Sequence, residues 1–139
     1  GTMSLLNIFD IAGSGMSAQS LRLNTTASNL ANVDSVSSSV DQTYKARQPV
    51  FATVLDDVQE GYKQGAVQVQ GVVESQAPVR QEYNPSHPMA NEDGYIFHSN
   101  VDPITEMANM MSASRSYQNN VEIANTSKQL LLRTLQLGQ

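Results

Sequence analysis

The side chains best suited to acid–base or ligand chemistry are two histidines, His87 and His98. Neither has a second histidine or a glutamate at metal-ligating spacing. His87 lies between Ser86 and Pro88 and reads as a surface residue. His98 ends a short apolar run and reads as a capping or solvent-facing group. The carboxylates Asp56-Asp57 with Glu60, and Glu92-Asp93, lack the alternating oxygen ligands and fixed glycine of a calcium loop. Gly13-Ser14-Gly15 has neither the preceding strand nor the Gly-Lys-Ser/Thr of a phosphate loop. A Gly-x-Ser-x-Gly elbow is missing. With no cysteine, thiol nucleophiles, disulfides, zinc fingers and iron–sulfur sites are excluded. Met107, Met110 and Met111 read as core filling, and Tyr117 as a buried anchor. The sequence predicts no enzyme, no cofactor, and no catalytic, cofactor-binding or metal residue.

What the chain must position is therefore a surface. It has 139 residues, of which 40% are hydrophobic and 15% charged, while Ser, Thr, Asn and Gln supply 48. The aromatic share is 6%, with no Trp, so any core is thin. No apolar run approaches the length of a bilayer span, so membrane insertion is not expected. No charged-then-apolar leader opens the chain, and Gly1-Thr2 ahead of Met3 reads as lying outside the fold. The net charge of −5 is uneven: residues 3–33 balance to zero, 34–103 hold ten acids against four bases, and 104–139 carry +1. No basic stripe exists for nucleic acid.

From Leu5 to Val33 the pattern is helical. Phe9, Met16, Leu23 and Leu30 recur every seventh position, with Ala12, Gln19, Thr26 and Val33 on the next row. Asn7 or Asp10 would suit the start, and Gly13 and Gly15 each weaken the helix by about 1 kcal/mol relative to Ala. In the second helix Met107, Met110, Ser114, Tyr117, Val121, Ala124, Leu131 and Leu135 step by threes and fours, interrupted at Lys128. Pro103 suits its first turn, Glu106 and Arg133 complement its dipole, and Gly138 suits its stop. Both outer faces are Ser, Asn, Ala and Thr rather than Glu and Lys, a surface that packs on neighbours without desolvating charge. Between the helices, 34–42 reads as a flexible serine-rich connector, Tyr44–Leu55 and Val67–Val73 as strands joined by a 61–65 hairpin, and Pro49 as an edge-strand signal. Val79–Tyr83 and Tyr95–Phe97 read as further short strands, with 84–94 as loop. The predicted class is α+β: N- and C-terminal helices (3–33 and 104–139) pairing as a coiled coil, with a β-rich insert (34–103) between them.

Phe9 to Gln19, Ser28-Asn29-Leu30-Ala31-Asn32-Val33, Asn100 to Pro103, and Ser112 to Glu122 together resemble the rod and hook proteins of the bacterial flagellum, nearest to the proximal rod members. The middle adds Glu74 to Pro78 and Asn84-Pro85. The resemblance implies a self-assembling subunit of the periplasm-spanning rod, exported through the flagellar type III apparatus without a cleaved signal. It implies as partners other copies, other rod proteins and the hook–basal body protein. The expected assembly interface comprises Phe9, Gly13, Gly15, Met16, Leu23, Asn29, Leu30, Asn32, Met107, Met110, Tyr117, Asn120, Val121, Ala124, Leu131 and Leu135. The rival reading is an adaptor whose helical pair binds one protein partner without polymerising.

Overall fold

A computed structural model of the chain describes residues 2–54 and 66–138. Helix α1 (Thr2–Ala31) and helix α2 (Pro103–Leu137) bracket five strands: β1 (Val36–Ser37), β2 (Arg47–Val54), β3 (Ala66–Glu74), β4 (Arg80–Tyr83) and β5 (Tyr95–His98). The class is α+β.

Asp102 starts α2. Its Oδ1 accepts from the Ile104 N–H at 3.2 Å and its Oδ2 from the Thr105 hydroxyl at 2.8 Å, satisfying donors that a helix start leaves open. Pro103 follows in the first helical position, where its missing N–H costs nothing. Gly138 ends the helix, its N–H donating to Thr134 O at 3.0 Å. α1 begins at Thr2, earlier than Asn7 or Asp10 suggested, and runs unbroken through Gly13 and Gly15. At 30 and 35 residues the helices are about 45 and 52 Å long. They lie side by side and antiparallel: Asn29 meets Glu106, Arg22 meets Asn109 and Ser112, and Gly15 meets Asn120.

The strands form two small sheets. β2 and β3 make an antiparallel ribbon, with Arg47 opposite Glu74 and a bulge between Val50 and Phe51. Pro49 lies in this ribbon opposite Val72, so β2 has a free edge as its proline required. The ribbon packs on α1, where Ser14 Oγ accepts from the Val67 N–H at 3.0 Å. In the second sheet β5 is central, flanked by β1 and β4, and Ile96 at its middle is 2% exposed.

The serine-rich connector corrects the sequence reading. It holds β1, and Thr43 and Ser37 hydroxyls both donate to Ser39 O at 2.7 Å, bracing the loop from inside. A two-residue strand whose partner lies some sixty positions away carries no local signal. The first long strand begins at Arg47, because Tyr44 is drawn toward α1 instead. The predicted 61–65 hairpin, Leu55 and the Asp56-Asp57-Glu60 group lie outside the described residues.

Candidate assembly interface

Asn29 sits on α1 at 1% exposure and is bonded on every side. Its Nδ2 donates to Arg47 O at 2.9 Å and to Glu106 Oε2 at 3.1 Å. Its Oδ1 accepts from the Tyr44 hydroxyl at 2.7 Å and from the Arg47 N–H at 2.9 Å. One amide thus fixes the start of β2 and the start of α2 to α1. Glu106 is itself buried in the first turn of α2, where the helix dipole favours a carboxylate. Nearby, Asn100 accepts from the Ala46 N–H at 2.7 Å and donates to Ala77 O at 2.8 Å, tying the ribbon's base to the approach to α2. Among the described residues no buried side-chain nitrogen or oxygen lacks a partner at this junction or elsewhere. The sequence reading placed Asn29 on the assembly surface and left Glu106 as a dipole partner; their meeting joins positions 77 apart and has no local signature. Asn32, just past the end of α1, is half-buried, and its Nδ2 donates back to Ser28 O at 2.9 Å.

The line along which the helices touch differs from the one predicted. On α2 the buried positions are Glu106, Ala113 and Ser127. Asn120 lies on the same seven-residue row and is half-buried, as are Met110, Tyr117, Ala124 and Leu131 on the companion row. Of the other predicted positions, Ser114 and Val121 are also half-buried, while Met107 is 56% and Leu135 54% exposed. On α1 the buried positions are Ala12, Gly15, Ala18, Thr25, Thr26 and Asn29. Phe9, expected in the seam, is 42% exposed, and Met16, Leu23 and Leu30 flank the contact half-buried. Small size governs the choice. A Cβ added to Gly15 would stand 2.7 Å from Asn120 Nδ2, so the Asn120 side chain occupies the space that a larger residue at this position would need. Around Gly13 there is nothing within 4 Å.

Many of the large apolar residues consequently point away. Continuing the antiparallel register, Leu6, Ile8 and Phe9 on α1 are exposed at the level of positions 126–129 of α2, and beyond that level Leu130, Leu132, Leu135 and Leu137 are exposed as well. Ile104, Met107 and Met111 are exposed along the first half of α2. Exposed apolar surface on this scale is unusual for a soluble monomer.

His98 Nε2, half-buried on the central strand β5, is 2.7 Å from Oε2 of the exposed Glu82 on β4, the only such acid–base pair among the described residues. That cross-strand pair replaces the solvent-facing or capping role expected for it. His87 Nδ1 accepts from the Met89 N–H at 3.0 Å within its own loop. Among the described residues there is no group of three His, Cys, Asp or Glu side chains placed for a metal, and no helix long and apolar enough to cross a membrane.

Known proteins share this arrangement of sequence. The family described as flagella basal body rod protein matches residues 9–37, which hold most of α1 and β1. The family described as flagellar basal body rod FlgEFG protein C-terminal matches 92–137, which hold β5 and α2. The chain is 54% identical over 137 residues to the flagellar basal-body rod protein FlgC of Salmonella typhimurium, a match spanning 99% of this chain and 100% of that one. FlgC of Escherichia coli O157:H7 is likewise 54% identical with the same coverage. FlgC of Buchnera aphidicola subsp. Baizongia pistaciae is 39% identical over 139 residues, again spanning 99% and 100%.

Proposed function

On the premise that the chain belongs to the FlgC family of flagellar basal-body rod proteins, we propose how this structural subunit of the proximal rod is joined to its neighbours. The helical segments 3–33 and 104–139 pair as a coiled coil and form the inner, subunit-facing layer of the rod. The insert, 34–103, faces outward. The observation that carries this reading is that the fully buried positions between the helices are small or polar, while Leu6, Ile8, Phe9, Ile104, Met107, Met111, Leu135 and Leu137 are exposed.

The thermodynamic logic follows. Helices of this composition are marginal alone, because isolated helix stability in proteins comes mainly from burying an apolar face. Here much of that burial is deferred to neighbouring subunits, so the cost of ordering the helices is offset on assembly. Repeated head-to-tail contact between identical surfaces that does not close on itself generates a helical tube. Its partners are other copies and other flagellar rod components, with the hook–basal body protein at an end of the stack. The subunit reaches the periplasm through the flagellar type III export apparatus, for which a loosely held helical pair is an advantage.

Photo-crosslinking tests this reading in basal bodies. A crosslinking residue at Leu135 or Phe9 is expected to yield adducts with a second copy or another rod protein, while one at Ile96 yields none. Adducts from Ile96 with none from Leu135 or Phe9 would overturn it, and a single adduct of fixed 1:1 stoichiometry without polymer would favour the adaptor reading.

A further inference from the structure

Arg22 on α1 and Arg47 at the head of β2 line one cleft of about 320 Å³ where α1, α2 and the ribbon meet. Arg22 offers its guanidinium only to neutral groups at long range: Gln19 Oε1 and Asn109 Oδ1 at 3.4 Å, and Ser112 Oγ at 3.5 Å. Good N–H···O bonds are nearer 2.9 Å. The Arg47 guanidinium lies 5.5 Å over the Tyr44 ring, which holds it as a cation–π pair and leaves its N–H donors unused by any described acceptor. No carboxylate among the described residues comes within 4.0 Å of either arginine. Glu106 is also in the lining, but its Oε2 is turned to Asn29. The amides of Gln19, Gln48 and Asn109 supply further neutral polar groups around the rim.

We propose that this cleft receives a surface carboxylate, Asp or Glu, from a second copy of the chain. The inference rests on the reading of the protein as a self-associating rod subunit. Charge complementarity selects the occupant. The chain carries −5 overall, ten of its acids lie in residues 34–103 against four bases, and among the described residues only Glu82 is ion-paired. Two arginines line one cleft, and the fork of a guanidinium matches the two oxygens of a carboxylate, the geometry in which Arg recognition is strongest. The cleft sits at the junction of three elements, so a carboxylate from a neighbour seated there would lock the ribbon and both helices to that neighbour. This contact gives register to an assembly whose apolar surfaces are otherwise tolerant of sliding.

The test uses the full chain in cells lacking their own copy. Arg47→Glu is chosen because the side chain is exposed and its backbone bonds to Asn29 survive the change. The expected result is at least a tenfold loss of completed rods with the melting temperature of the purified protein unchanged. Motile revertants are expected to carry an Asp or Glu changed to Lys or Arg elsewhere in the same gene. Should Arg47→Glu lower the melting temperature, Arg47→Gln decides by the same counts. Normal rod numbers from the variant, or revertants confined to genes for other rod components, overturn the proposal. Normal rods from Arg47→Glu with none from Leu135→Asp would remove this cleft and leave the rod reading standing. Normal rods from both would remove both.

Discussion

At the junction end of the helical pair, Asn29, Tyr44, Arg47 and Glu106 satisfy one another within the chain, while at the opposite end Leu6, Phe9, Leu135 and Leu137 face outward. Apart from the side chains of Arg22 and Arg47, the junction gains little from a partner, because its polar groups are already bonded within the chain. The far end gains much, because each large apolar side chain removed from water there contributes about 1.5–3 kcal/mol when fully buried. The contrast shows how one short chain divides its labour. Directional, saturable bonds fix the internal geometry, and non-directional apolar surface is kept for association.

Breaking the junction has the largest expected effect on the isolated protein. Asn29→Ala removes four hydrogen bonds and leaves the buried Glu106 carboxylate without its donor. The loss is about 3 kcal/mol, read as a fall of roughly 10 °C in the thermal melt followed by circular dichroism. An unchanged melt would show that the junction is not the internal clamp.

The helix contact between the two ends is sharpened by its two glycines. Gly15→Ala drives a methyl group into Asn120 and destabilises by about 1 kcal/mol, and adding Asn120→Ala restores the loss. Gly13→Ala meets nothing within 4 Å and stabilises the isolated chain by about 0.5–1 kcal/mol through helix propensity. Equal effects at both positions in denaturant titrations would contradict the contact line. The smallest effect is expected from His87→Ala, which removes one exposed bond to the Met89 N–H. It should change stability by less than about 0.5 kcal/mol and leave swimming unaffected.

The helices were legible because their signals are local: Pro103, the acidic first turn at Glu106 and the three-four stepping of apolar residues. The facing rows were legible only in part. Hydrophobic period locates the face that is buried somewhere, and here Met107, Phe9 and Leu135 are outside the internal contact. Ala12, Gln19 and Thr26 on α1 were read beside the seam, whereas the row Glu106-Ala113-Asn120-Ser127 on α2 is periodic in small and polar residues, a pattern that hydrophobicity does not weigh. Tyr44, Arg47 and Asn100 were missed because their roles depend on partners 15 to 54 positions away. The serine-rich connector looked flexible for a similar reason, since β1 pairs with β5 some sixty positions away and Ser38 donates to Met89 O.

Leu135→Asp tests the division most directly, measured twice on the same variant. The isolated protein should melt within about 2 °C of the parent, because an exposed substitution shifts stability by only about 0.5 kcal/mol. In cells the same variant should fail to complete rods, since it places a charge where neighbours must bury apolar surface. A variant that melts normally and still builds rods at the parental frequency would contradict the claim that the outward leucines are kept for neighbouring subunits.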